Sequence, residues 1–426
     1  MTTASPAARR SNTTRSARTP RTAHSARSAR GADAARVLEA DVVVVGARCA
    51  GAATALLLAR AGHDVLVVDR ASFPSDTIST HVIARSGMVA LHRWGVLEAV
   101  VASGAPPIRR VEFTSALGFL QREVKDRHGV DFLLAPRRIV LDGVLQRAAR
   151  EAGARIRTGV AVTDVVHDAQ GRVVGVVGQD EGGPVEVRAR LVVGADGLSS
   201  RVARAVGAPL TIVRPASGAA QYAYYDGDWT AIEHHLGTNA FAGVFPTHDG
   251  QACIWVCTPE DAARASRRQR RDPADAFDDL LASAVPGLAA RVDPGARRSP
   301  VRGMLRMPNH FRQASGPGWA LVGDAGYHRD AVTGHGISDA FRDAELLAGA
   351  IDAAMSEPDC ETAALAAYGQ ERDRLAAEVF EITCALSTFP EQGRFLQLQK
   401  QLAVAIDVMA GEMAARPLPR ASEFAA

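Results

Sequence analysis

Residues 41–69 decide the fold. They run Asp41-Val42-Val43-Val44-Val45-Gly46-Ala47-Arg48-Cys49-Ala50-Gly51, continue through an Ala- and Leu-rich stretch to Ala61-Gly62, and close on Asp64-Val65-Leu66-Val67-Val68-Asp69. The apolar runs 42–45 and 65–68 read as strands buried on both faces. The segment from Ala50 to Ala61 has helix composition, and Gly62 supplies its stop. The spacing predicts a β-α-β unit of about 30 residues. A dinucleotide fingerprint has Gly at the first, third and sixth positions of its turn. Gly46 permits the tight turn and Gly51 the close packing of helix on strand. The third position is Arg48, whose side chain has to point outward, where it can meet a phosphate. Asp69, with Arg70 beside it, ends the second strand 23 residues after Gly46 and is placed to accept bonds from ribose hydroxyls.

Two further strand–loop–helix junctions follow. Val193-Gly194-Ala195-Asp196-Gly197 leads into a helix opened by Ser. Trp319-Ala320-Leu321-Val322-Gly323-Asp324 leads through Thr333-Gly334-His335-Gly336 into a long helix. Between them, residues 218–258 alternate and are rich in Tyr, Trp, Val and Ile, which predicts an antiparallel sheet. The segments 155–165, 173–178 and 185–190 read as a small meander, Leu191-Val192-Val193 as a parallel strand, and the pattern is helical from Ser338 to about Met413. The expected architecture is α/β: a Rossmann-like nucleotide-binding fold interrupted by an antiparallel substrate sheet, with C-terminal helices. The nucleotide-binding parts are expected at 37–110, 136–208 and 313–358, the sheet domain at 111–135 and 209–312, and the helical region at 359–426.

Charge excludes one class of partner. Residues 1–36 hold eight Arg and one acid of the chain's 49 basic and 47 acidic residues, which leaves 41 and 46, or −5, for the rest. A mildly acidic body is not built to follow a nucleic-acid backbone. The tail has almost no large apolar residue and reads as disordered, with the Arg- and Ser-rich texture of a transit peptide, or as a segment upstream of a true start near Val37. Only Lys125 and Lys400 are Lys, which fits the codon bias of a GC-rich bacterial genome. Five unclustered Cys and no run of about 18 apolar residues predict a cytoplasmic protein without a membrane anchor.

The three junctions, in this order, resemble the p-hydroxybenzoate hydroxylase-like FAD-dependent oxidoreductases, which include single-component flavoprotein monooxygenases, geranylgeranyl reductases and flavin-dependent halogenases. The resemblance spans roughly 40–365 and implies FAD as cofactor. It implies that Gly46 to Gly51 hold the pyrophosphate and Asp69 the ribose, and that Arg138, in Arg138-Ile139-Val140-Leu141-Asp142, flanks the cofactor. The Asp196 motif serves FAD and NAD(P)H, the Gly323-Asp324 pair binds the ribityl or pyrophosphate side, and the isoalloxazine lies against Gly334 and Gly336. A helix beginning after Gly336 would stabilise a reduced, anionic flavin by about 1–2 kcal/mol. Some positions depart from the family pattern. Ala203 stands where an Arg often follows the Asp-Gly motif, Ala331 where Pro is common, and Tyr327-His328 where many members have Ala-His. The halogenase Trp-x-Trp-x-Ile-Pro signature and its Lys are missing. No second strand–GxGxxG–helix exists, so NAD(P)H would visit transiently, or a flavin reductase or reduced carrier would supply electrons.

The sequence nominates no catalytic residue, as suits an enzyme whose cofactor does the hard step. Tyr222, Tyr224 and Trp255 alternate so as to line one face of the sheet. His335 and His328 flank the flavin loop, as donors or as plain loop residues. The segment from Asp76 to His81 and Arg85 follows the second strand, where the family crosses the flavin, and Arg85 is a candidate anion contact. His234-His235 lack a third metal ligand. The leading expectation is a monooxygenase that hydroxylates or epoxidises a small apolar or aromatic molecule through a C4a-(hydro)peroxyflavin. The alternatives are a reductase or dehydrogenase of geranylgeranyl reductase type and a non-catalytic FAD-binding accessory protein.

Overall fold

The structure, a computed structural model, describes residues 35–79 and 81–418; most of the expected tail lies outside them. The strand Arg36–Val45 sits centrally in the first sheet. Its parallel neighbours are Val65–Asp69 on one side and Gly183–Gly194 on the other, with Trp319–Leu321 and Arg155–Thr158 next outward. Val42, Val43 and Val44 are fully buried because both faces of this sheet are covered. Helices Cys49–Arg60, Arg138–Glu151 and Gly336–Ser356 pack on the Val42/Val44 face. The hairpin Ala161–His167/Val173–Asp180 folds over the Val43/Val45 face. The sequence divides 185–193 into a meander strand and a parallel strand. The structure has one continuous strand, Gly183–Gly194, antiparallel to Val173–Asp180 in its first half and parallel to Arg36–Val45 throughout.

Parallel pairing brings Val45, Asp69, Gly194 and Leu321 to one edge of the sheet. All three junctions therefore open at the carboxyl ends of the strands, where α/β sheets form their ligand crevice.

The second sheet has seven strands in the order Arg302–Leu305, Gly218–Asp226, Gln251–Pro259, Ala240–Pro246, Ile232–Gly237, Arg110–Ser115 and Gly118–Glu123. Tyr222 pairs with Trp255 and Tyr224 with Cys253, so these four share a face. The opposite face, with Ala223, Ile254 and Val256, is backed by Phe277, Leu280 and Leu281 of helix Pro273–Ala284. The aromatic face meets Val332 of the Gly334 loop and is walled by Val379, Leu386, Phe395 and Leu402 from helices Glu361–Leu386 and Gln392–Ala415. A third, small sheet joins Leu210–Arg214, Asn309–Arg312 and Tyr327–His328. Among the described residues no helix is long and apolar enough to cross a membrane.

Candidate cofactor and substrate site

The three junctions touch. Gly46 has φ +108°, and a Cβ there would lie 2.4 Å from the Ala195 carbonyl oxygen of the Asp196 junction. A Cβ on Gly51 would lie 1.8 Å from the Gly46 carbonyl oxygen, and one on Gly323 would lie 2.9 Å from the Ala50 Cβ. Only glycine lets the turn, the helix start and the Gly323-Asp324 loop approach this closely.

Buried side chains hold the first turn from both sides. The Ala47 N–H donates to Asp69 at 2.7 Å, and the Gln146 amide donates to the Ala47 carbonyl at 2.8 Å. Asp69 also accepts from the Ala71 N–H at 2.7 Å. Arg48 does not project freely outward. Its guanidinium donates to Asp142 at 2.9 Å and to the Ser75 hydroxyl at 2.9 Å, because the fully buried Asp142 attracts the nearest cations. Arg138 reaches the same carboxylate at 3.0 Å, and the Cys49 thiol donates to it at 3.2 Å. Burial opposes the charge on Arg138, but Cys49, Asp142 and, more weakly, Asp324 outweigh it and keep the guanidinium protonated.

The aspartates of the other two junctions differ. Asp196 accepts from the Ser200 hydroxyl and the Arg201 N–H, both at 2.5 Å, and so serves as part of the cap of the short helix Arg201–Ala205. Asp324 is exposed and makes no side-chain hydrogen bond among the described residues. It lines a cleft with Gly323, Tyr327, Arg329, Gly336 and Asp339. Arg70 is exposed at the end of its strand.

Helix Gly336–Ser356 begins at this cleft without a side-chain cap, as does helix Cys49–Arg60 at the first turn. Gly334 adopts φ +68°, and a Cβ on Gly336 would meet nothing within 4 Å. Asp339, in the first turn, is buried. Arg329 and Arg342 hold its carboxyl below the usual range against the effect of burial, with contacts of 2.9 and 3.1 Å. Their positive charges offset Asp339, so the helix terminus keeps its positive end.

Beyond the Gly334 loop the buried face of the sheet carries a packed aromatic cluster, termed the aromatic chamber. Tyr222, Tyr224 and Trp255 are at most 3% exposed. The His234 ring stacks on Phe241 at 5.4 Å and meets Trp255 edge-on at 6.0 Å. Burial, His235 and His335 hold His234 down to about 3. Burial and Arg329 hold His335 down to about 4, so both rings are neutral at pH 7. Tyr224 shares a hydrogen bond with His81 Nε2, and the two rings stack at 5.4 Å. Burial, then Arg138 and Arg137, push His81 well below its ordinary value, and the Arg137 guanidinium lies 4.4 Å over the Tyr224 ring. Among the described residues, four buried polar atoms in this region have no protein partner: Trp255 Nε1, His335 Nδ1, His81 Nδ1 and Arg137 Nε.

Other candidates lie outside this arrangement. Arg85 donates to the Val130 carbonyl at 3.1 Å and pairs with Asp407 at 3.5 Å, in the seam with the last helix. His328 contacts the Pro308 carbonyl at 2.5 Å. His235 pairs with Glu233, and no metal-binding cluster occurs among the described residues. Sequence reasoning missed Asp142, Gln146 and Arg137, and it named His81 only within the segment from Asp76. For Asp142 there was a signal: it stands four residues after Arg138 on one helix face.

A family model described as an FAD binding domain matches residues 39–383. The chain belongs to that family. Within it, this FAD-binding chain is 31% identical over 332 residues to a menaquinone reductase of Mycobacterium tuberculosis, covering 74% of the chain and 76% of the relative. It is 30% identical over 321 residues to digeranylgeranylglycerophospholipid reductase 2 of Methanopyrus kandleri, covering 70% and 74%. Its fold matches that of p-nitrophenol 4-monooxygenase PnpA from Pseudomonas putida with a TM-score of 0.71, at 20% identity, over 89% of this chain and 97% of that one. The protein is thus an FAD-dependent oxidoreductase of the superfamily that the three junctions indicated.

Proposed function

We propose that this oxidoreductase acts on an apolar, unsaturated small molecule held in the aromatic chamber, and that it reduces a carbon–carbon double bond. FAD fits the residues present. Two uncapped helix starts offer free N–H groups to a diphosphate and to a flavin edge. The free carboxylate of Asp324 suits ribityl hydroxyls, Asp69 and Arg70 would face the ribose, and no protein atom crowds the position beside Gly336. Arg138 and Arg48 serve through Asp142, as the frame of the turn.

Reduced flavin supplies hydride when bound. The chain does the rest: the sheet face and the two C-terminal helices exclude water, and the Tyr224 hydroxyl supplies the proton. With His81 in its Nε2–H form donating to the Tyr224 oxygen, the phenol proton is free to point into the chamber. Burial raises the Tyr224 pKa, which keeps the phenol protonated.

The observation that carries the reading is this phenol–imidazole pair in an otherwise aromatic and aliphatic cluster. The two reductase relatives, named for menaquinone and for a digeranylgeranyl lipid, support it. Oxygen insertion, the leading expectation from sequence, becomes the second reading; a dry aromatic chamber favours it equally. FAD-loaded protein reduced under nitrogen and mixed with menaquinone or a geranylgeranyl lipid tests the choice. Flavin reoxidation with a product in which two hydrogens have been added across a carbon–carbon double bond, and not a quinol, is expected. A product formed only with O₂ and carrying one added oxygen atom would overturn it.

A further inference from the structure

The edge strand of the small third sheet is open along its whole length. All five residues of Leu210–Arg214 are exposed, with Leu210 at 47%, Ile212 at 37% and Val213 at 58%. Large apolar residues on an unpaired strand edge are a liability that proteins usually blunt or cover. Arg312 pairs with Leu210 of this strand, Arg204 lies near Arg312, and Arg201 precedes Arg204 on the same short helix. None of the three pairs with an acid among the described residues, and Arg312 donates only to the Ala208 carbonyl, at 3.2 Å. Burial and the nearby Arg204 lower the pKa of Arg312, as expected of two guanidinium groups held together without a counter-ion. Arg214 adds a fourth charge, offset by Glu381 at 2.7 Å. The patch is therefore apolar along its centre and cationic along its rim, within a body that is acidic overall.

The patch lies behind the cofactor cleft. Ile212 pairs with Phe311 in the sheet register. The Phe311 ring lies 4.6 Å from the Tyr327 ring, and Tyr327 lines the cleft with Asp324 and Gly336. Two aromatic side chains in tilted contact connect the exposed strand to the place where the flavin would lie.

We infer that this face docks an acidic one-electron carrier protein, which reduces the flavin through Phe311 and Tyr327. Each carrier is oxidised by one electron. Two of them, with one proton from solvent, complete the reduction of the flavin to its anionic reduced form. An apolar strip beside the guanidinium groups suits a protein face better than a nucleotide, which would use only the charge. The inference rests on the flavin placement proposed above.

The test titrates an acidic [2Fe–2S] ferredoxin into the FAD-loaded protein by calorimetry at increasing salt. It is repeated on Arg204→Glu/Arg312→Glu and on Ile212→Glu. Binding is expected to weaken steeply with salt and to fall at least tenfold in both variants, with bound FAD and its dithionite-reduced spectrum unchanged. Salt-independent or absent binding would overturn the inference. So would a double variant that loses reduction by NADPH while still binding ferredoxin, which would make the cluster a nucleotide site. A wild-type dimer in sedimentation that Ile212→Glu dissociates would give the face to a second copy of the chain. Because the binding arm does not depend on the flavin, failure of the flavin placement shows separately, as protein that takes up no FAD.

Discussion

The cofactor turn and the aromatic chamber meet at the Gly334 loop, and they treat polar groups in opposite ways. In the turn, every buried charge has its partner within the fold: Asp69 on two backbone N–H groups, Asp142 on two Arg and a thiol. In the chamber, Trp255 Nε1, His335 Nδ1 and His81 Nδ1 are buried and unpartnered. Unsatisfied buried polar atoms are costly, and a ligand bound here would give these three the partners they lack. The turn is a frame finished in advance. The chamber holds groups in reserve.

Damage to the frame should have the largest effect. Gly51→Ala places a Cβ 1.8 Å from a backbone oxygen that cannot yield, so we expect a loss of at least ~3 kcal/mol in denaturant unfolding, with no bound flavin. Asp142→Asn keeps the shape and removes the charge shared by Arg48 and Arg138. Breaking buried pairs in this way costs roughly 3–5 kcal/mol, readable as a shifted denaturant midpoint. An unchanged midpoint would mean that the frame does not depend on that carboxylate.

The chamber should respond in chemistry and not in stability. Tyr224→Phe keeps the ring under Arg137 and removes the hydroxyl. Turnover should fall on the order of 100-fold with FAD affinity unchanged. If FAD affinity falls with it, Tyr224 belongs to the frame.

The smallest effect in the wild type is the net pH slope where the two regions meet. Asp330 caps the turn before Gly334, and its N–H donates to Asn309. Burial, opposed by the Val332 N–H, His328 and Arg329, raises its carboxyl from 3.8 to about 6. The folded state therefore holds a proton that the unfolded chain has released, and stability falls as pH rises from about 4 to about 6, by up to roughly 3 kcal/mol. His335, held down to about 4, slopes the other way, losing stability as pH falls below 6.5. The two slopes mask each other in the wild type, so the test is the difference curve against Asp330→Asn. A flat difference between pH 4 and 6 would contradict the assignment.

The same contrast explains what could be read from sequence. Gly46, Gly51 and Gly334 were legible because local backbone geometry demands them, and the shared face of Tyr222, Tyr224 and Trp255 follows from the period of a strand. Arg48 was expected to point at a phosphate, but it folds onto Asp142, which arrives on a helix 94 positions along the chain. Asp196 looked like a ligand residue and is engaged in capping. Arg85 looked like an anion contact and is held in a helix seam. The Tyr224–His81 pair joins residues 143 positions apart, and no local pattern announces such a contact.

The central claim is that a flavin lies against Gly336, between the frame and the chamber. Gly336→Val tests it most directly, because the added side chain meets no protein atom within 4 Å of its Cβ. FAD titration of apo-protein, followed by flavin fluorescence, should show at least a tenfold loss of affinity in the variant, with the unfolding midpoint of the apo-protein unchanged. Wild-type FAD affinity in that variant would contradict the account.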